Sequence, residues 1–210
     1  SIKTALRQLV LSRTFRSRSA ATEASIELDP NNEYLSYFQP RRLEAEAIMD
    51  SVSSMAGQDF QRAVYERAKR NQLNPFLAAF NLPIPTTTNG VRDSTNVPAQ
   101  ALTMLNSDFT KNAAKDWSHR TLAEQPKTSA RSLIESLYWD AYARRPSGSE
   151  LEKLIPYYES IPDTDTAVER IAFALLNSKE FICWDHNFCS CNNTFISSGM
   201  GFNYGKYYNR

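Results

Sequence analysis

The stretch VRDSTNVPAQALTMLNSDF, residues 91–109, decides how this chain is read. Arg92, Thr95, Asn96 and Gln100 surround Pro98, and an apolar period then begins through Leu102, Leu105 and Phe109. Proline suits the first position of a helix, where its missing amide hydrogen is not needed. The period runs on through Ala113 and Trp117, while Asn106-Ser107-Asp108 interrupts it with residues that favour caps. Two helices are therefore expected to meet there. A similar ending recurs in IAFALLNSKEF, residues 171–181. The polar residues ahead of the helix are either a working site or the ties of a loop whose backbone groups need partners.

Helical spacing recurs on both sides of this stretch. Ile2, Leu6, Leu9 and Val10 share one face of a helix over 2–13, and no acid occurs among the first 18 residues. That basic face is read either as an anion-binding surface or as a solvated face paired with acids elsewhere. Residues 19–39 are polar, carry the turn signal Asp29-Pro30-Asn31, and predict a long connection. Pro40 predicts a helix start, with Leu43, Ala47, Ile48, Val52 and Met55 following and Gly57 as a left-handed stop. On that helix Arg42 and Glu46 stand four apart and would form a weak surface pair. Residues 58–71 fit a helix or a short strand. NPFLAAFNLPIPTTTNG, residues 74–90, has three prolines and predicts an ordered loop without regular structure. Thr128 or Ser129 opens a helix that ends at Arg144-Arg145-Pro146, cations suiting its negative end. Ser147 and Glu150 have capping-box spacing, and so do Thr166 and Glu169; Pro156 should kink or shorten the helix that contains it. The expected fold is mainly α: an irregular helical domain over 1–182 with long ordered loops and at most a short strand pair. The tail, 183–210, changes to Gly, Asn, Ser and Tyr and loses the period.

Whole-chain quantities exclude more than they assign. With 210 residues, 41% hydrophobic and 22% charged, the composition is that of a globular domain. A net charge of +1 gives no global argument for nucleic acid or an anionic membrane. Apolar runs fall far short of the roughly 20 residues that span a bilayer. The chain opens at Ser1 directly in an amphipathic pattern, as expected of a piece of something longer.

Taken in order, LRQLVLSRTFRSRS, RRLEAEAIMDSV, KRNQLNPFLAAFNLPIP, VRDSTNVPAQALTMLNSDF, ARRPSGSELEKL and ALLNSKEF carry a family likeness. Together they resemble the C-terminal domain of unknown function (number fifteen fifty-three) of planctomycete PSD-type cytochrome-c-associated proteins. The resemblance spans roughly 1–182; comparable domains stop near Asp185, so the tail fits either an extension or a frame-shifted end. It implies an exported or periplasmic multidomain bacterial protein with haem c in a domain N-terminal to these residues, and no cofactor within them. It implies partners among the other domains of the parent chain or a partner protein. It places Arg92, Thr95, Pro98, Gln100 and Asn106 in one family motif and Arg41, Arg42 and Glu46 in another, and favours a strand near 62–69. It supplies no catalytic residue.

Two constellations bear on chemistry. If the helix after Pro40 lies beside the 91–100 loop, Arg41, Arg42, Glu46, Asp50, Arg92, Thr95 and Gln100 converge. Arginine forks suit carboxylate or sulfate, and a buried carboxylate could do acid–base work. Alternatively Arg92 ties its loop to Glu46 or Asp50, while Thr95 or Asn96 caps the helix after Pro98. The second set is Cys183, His186, Cys189 and Cys191, a weak candidate for zinc whose thiols could equally form a disulfide or be inert. Tyr138, Trp139, Tyr142, Tyr157 and Tyr158 at helical spacing are expected in the core rather than on a sugar-binding face. His119 is isolated, with no nucleophile making a dyad visible, and no G-x-S-x-G, phosphate loop or haem-attachment motif occurs. The functional expectation is a non-catalytic scaffold or docking module. Its alternative is an enzyme domain acting on a polar, polysaccharide-derived substrate through the Arg/carboxylate set.

Overall fold

The structure, a computed structural model, describes residues 1–16, 21–37, 40–57, 62–66, 69, 72–86, 90, 92, 95–126 and 128–184. They divide into two compact units, one holding residues 1–37 and the other Pro40–Trp184.

In the first unit α1 (Ile2–Leu11) occupies the expected helical stretch, with the Ser1 hydroxyl accepting from the Thr4 amide. A second helix, α2 (Glu23–Leu28), lies where a connection was expected. The Ser25 amide donates to Thr22 Oγ1 at 3.2 Å and the Thr22 amide to Ser25 Oγ at 2.9 Å, so serine supplies the return bond that Glu or Gln usually makes. Behind it, the Asp29 carboxylate accepts from the Glu33 and Tyr34 amides, each at 2.8 Å, and closes the predicted turn.

The second unit is helical apart from one ladder. Its elements are β1 (Arg41–Arg42), α3 (Ala45–Ala56), a 3-10 turn over Ala63–Tyr65, α4 (Pro75–Ala79), α5 (Pro98–Asn106), α6 (Asp108–Glu124), α7 (Ala130–Tyr142), α8 (Gly148–Glu159), α9 (Thr164–Leu176), α10 (Lys179–Ile182) and β2 (Cys183–Trp184). β1 and β2 pair antiparallel, Arg41 opposite Trp184 and Arg42 opposite Cys183. The mainly α fold with a short strand pair is therefore as expected. Among the described residues no helix is long and apolar enough to cross a membrane.

The core lies where α6 packs against α9 on one side and α3 on the other. Trp117 of α6 is fully buried in one core cluster with Ile48, Val52, Ile171 and Leu176, and the small residues Ala113, Ala114 and Ala172 of that cluster leave room for close packing. The indole satisfies its one donor by giving Nε1–H to Asp140 Oδ2 at 3.1 Å, the oxygen that also takes Arg120 Nη2. Gly57 stops α3 at φ +71°, as its sequence position predicts; a Cβ there would meet Arg120 Cδ at 2.9 Å.

Several local expectations are corrected. Pro40 does not open a helix: Arg41 and Arg42 are extended, held by β2 and by the Leu43 amide donating to Ile182 O at 2.8 Å. The Arg42–Glu46 helical pair accordingly does not exist. Proline at 75 starts α4 instead of breaking it, because Asn74 Oδ1 accepts from the Phe76 amide at 2.9 Å. Near 62–69 the described residues form a 3-10 turn and an isolated bridge from Lys69 to Gln72 rather than a strand. α9 starts earlier than the Thr166–Glu169 box implied, with Asp163 accepting from the Thr166 amide at 3.0 Å. α8 runs through Pro156 to Glu159. The helix junction at Ser107, and the Ser147–Glu150 box, stand where the sequence put them.

Candidate functional site

The two-residue ladder matters because it places Arg41 and Arg42 in the lining of the same cleft as the loop containing Arg92 and Thr95. β2 is presented to β1 by α10, whose cap Ser178 accepts from the Phe181 amide at 3.1 Å and from the Tyr142 hydroxyl at 2.7 Å. The cleft has a volume of about 620 Å³ and is lined on its polar side by Arg41, Arg42, Glu44, Arg92, Thr95 and Lys179.

Within it Arg42 is half-buried over the Phe80 ring, 5.6 Å from the centroid. Its Nη atoms reach Phe80 O at 3.4 and 3.5 Å and Asn81 Oδ1 at 3.4 Å, all long contacts to neutral oxygens. Its Nε has no hydrogen-bond partner. Burial lowers the pKa of this guanidinium, an effect partly opposed by Cys183, but an arginine remains charged.

Asn81 is the residue that sequence reasoning missed. It sits in the left-handed region at φ 66°, which asparagine tolerates better than most residues. Its Oδ1 accepts from Thr95 Oγ1 at 2.9 Å and from Gln100 Nε2 at 3.0 Å as well as from Arg42. Gln100, nearly fully buried, turns its oxygen back to the Val97 amide at 3.4 Å. Thr95 and Asn96 therefore do not cap α5; Val97 occupies that position and Thr95 is tied to Asn81. Only an asparagine ahead of Leu-Pro signalled this in the sequence, which is too little to locate a hub.

Arg92 closes its fork on Glu46, Nη1 to Oε2 at 2.6 Å and Nη2 to Oε1 at 3.0 Å, and Nη1 also reaches Glu44 Oε2 at 3.0 Å. Both glutamates sit at the N-terminal end of α3, where negative charge is favoured. Burial pushes the Glu46 carboxyl up, but hydrogen bonds from Arg92 and from its own amide, with the Arg92 charge, outweigh this and hold it below its ordinary value. The Glu46 hydrogen bond raises Arg92 in turn. Asp50 does not join the set. It faces the 3-10 turn, accepting from the Ala63 amide at 2.7 Å with Arg62 Nε 3.7 Å away. Glu46 instead borders a separate hollow of about 130 Å³ with Glu66 and Asn74.

A second arginine cluster lies on α7, α8 and α10. Arg144 gives Nε and Nη2 to Glu180 at 2.7 and 2.8 Å and both Nη atoms to Glu150 at 3.0 and 2.8 Å. Its guanidinium lies 5.2 and 5.4 Å from the ring centroids of Tyr138 and Tyr142. Hydrogen bonds from Arg144 and Ser147 pull Glu150 down to about 2, against burial, while burial pushes Tyr138 up to about 12. Sequence reasoning had Glu150 in the cap and Arg144 at a helix end, and missed that they meet.

PSD1: Protein of unknown function (DUF1553), a protein family, matches residues 1–60 and 56–158. The chain belongs to the PSD1 family. Neither a curated protein nor a solved structure matches it. The PSD1 match takes in β1, α3, Asn81, Arg92, α5 and the Arg144–Glu150 pair, whereas Lys179 and Cys183 of the cleft lie beyond the matched residues.

Of the remaining candidates, Cys183 is half-buried and lines the cleft. His186, Cys189 and Cys191 lie outside the described residues. Among those described, no group of His, Cys, Asp or Glu could hold a metal ion. Tyr138 is in the core, Tyr142 and Tyr158 flank it, and Trp139 and Tyr157 are exposed. His119 is exposed and remote from the cleft lining.

Proposed function

We propose that Pro40–Trp184 is a non-catalytic docking module of an exported, haem-c-associated multidomain bacterial protein, holding other domains of the parent chain or a partner protein. The observation that supports this is the saturation of the Arg92–Glu46 pair. A carboxylate bonded by both arms of a guanidinium, and held below its ordinary pKa, is a poor proton donor at neutral pH and has little lone-pair capacity left for a base. Glu44 is the one carboxylate lining the cleft among the described residues, and it too points at Arg92. Among the described residues, no histidine lines the cleft beside Cys183.

The cleft falls within the size range of small-ligand sites, which is what favours the competing reading of an enzyme for polar, polysaccharide-derived substrates. The two readings part on turnover. Chain preparations with wild-type sequence, Glu46→Gln and Cys183→Ser are incubated with chromogenic glycosides, carboxylic esters and sulfate esters. All three are expected to release product no faster than buffer. Hydrolysis that disappears in Glu46→Gln or Cys183→Ser would overturn the docking reading in favour of the enzyme.

A further inference from the structure

We infer that the cleft receives an acidic segment of polypeptide, carboxylates seated between Arg41, Arg42 and Lys179; this rests on the docking reading and names the chemistry of what docks. The chain is nearly neutral overall, yet among the described residues four cations and one carboxylate line this single cleft. Arg92 is compensated by Glu44 and Glu46. Arg41 and Lys179 are exposed and have no carboxylate partner among the described residues, and Arg42 meets neutral oxygens only. Among the described residues, three cations thus line one cleft without a carboxylate partner, an arrangement whose field attracts anionic ligands.

The form of the groups narrows the ligand. Two of these three cations without a carboxylate partner among the described residues are arginines, whose planar forks match carboxylates in two-point contact. All the Arg42 contacts stand at 3.4–3.5 Å, so a closer oxygen gains over those it replaces. Among the described residues Phe80 is the one aromatic in the lining, and at 1% exposed it offers no ring face for stacking a sugar or a base. That argues against polysaccharide and nucleic acid as occupants. Leu43 and Ile182 give the cleft apolar lining, and the exposed Asn96 also lines it, suited to a backbone carbonyl or amide. Alternating apolar contact, amide contact and carboxylate recognition is what an acidic peptide requires.

Fluorescence anisotropy on the whole 210-residue chain tests this, with a labelled hexaglutamate peptide and its glutamine counterpart as probes. Arg41→Glu with Lys179→Glu is the informative variant, since both side chains are exposed and unpaired and circular dichroism should be unchanged. Saturable binding of the glutamate peptide is expected, weakened about tenfold or more by the double reversal, and weakened likewise by raised salt, with no binding of the glutamine peptide. Equal binding by the reversed variant, no saturable binding at low salt, or displacement of the peptide by inorganic phosphate or a sulfated polysaccharide at lower concentration than by unlabelled peptide would each overturn the inference. Those outcomes leave the non-catalytic reading standing, which falls only to Glu46- or Cys183-dependent turnover.

Discussion

Arg144 and Arg92 each hold two glutamates, but they do different work. Arg144 uses Nε and both Nη atoms, lies between the acids of α8 and α10, and stacks on two tyrosines of α7, its side chain 28% exposed. Arg92 uses only its two Nη atoms, meets no ring among the described contacts, and is 41% exposed at the rim of a cleft. The first joins the acids of α8 and α10 over the tyrosines of α7, beside the Tyr142–Ser178 hydrogen bond. The second ties one loop to the start of one helix. A guanidinium bonded on every side can only be structural, whereas one bonded on one side also shapes the surface it leaves open.

The strongest way to break this contrast is Arg144→Ala. It leaves Glu150 and Glu180 facing each other without a cation and removes the stacking on Tyr138 and Tyr142. Hydrogen bonds to charged groups contribute about 1.5–3 kcal/mol each in favourable settings, and partial exposure reduces the sum, so a loss of about 2–3 kcal/mol is expected. Urea denaturation measures it, with Arg144→Lys intermediate because a lysine keeps the charge and loses the fork. A midpoint unchanged in Arg144→Ala would remove the distinction altogether.

Acid titration sharpens the same contrast with a smaller signal. Glu150 has a folded pKa of about 2, below its unfolded value near the ordinary 4.5. Stabilisation from a depressed carboxyl is complete above the unfolded pKa and is lost as pH falls toward the folded one. Urea midpoints should therefore decline between those limits, and the decline should become shallower in Arg144→Ala, because only the Ser147 bonds then hold Glu150 below its unfolded value. Glu46 is shifted in the same direction, so Arg92→Ala should also flatten the curve, but less. If the two variants flatten it equally, the sites are energetically alike despite their geometry.

The parts of this molecule legible in its sequence are those decided within a few residues. The Ser107 junction and the Ser147–Glu150 box depend on side chains that reach their own backbone, so local chemistry suffices. Gly57 stops α3 for the same reason. The serine return bond that caps α2 was equally local but departs from the usual Glu or Gln, and α2 was read as a connection. Arg42 failed for a different cause: its extended conformation is imposed by residues 183–184, and Pro40 offered a helix start that nothing nearby contradicted. Arg92 finding Glu46 was one of two pairings open in the sequence, and the Ala63 amide decided it by occupying Asp50. Asn81 carries no periodicity or motif, and its role exists only because Arg42, Thr95 and Gln100 arrive from three separate segments.

Replacing Arg92 should have the smallest effect. Glu44 is 65% exposed and loses little when its partner is removed. Glu46 is 18% exposed, yet it sits in the first turn of α3, whose unpaired amides and dipole continue to favour its charge. Arg92→Ala is therefore expected to cost about 0.5–1 kcal/mol, in the range of a partly exposed ion pair, and high salt should shrink the difference from wild type. Arg144→Ala, less exposed and stacked, should keep most of its deficit in the same salt. Comparing urea midpoints of the two variants across a salt series thus separates a rim contact from a helix-joining one. Were Arg92→Ala to cost as much as Arg144→Ala at every salt concentration, the 91–100 loop would be as integral to the fold as the helices, and the open cleft beside it would be a by-product of that tie.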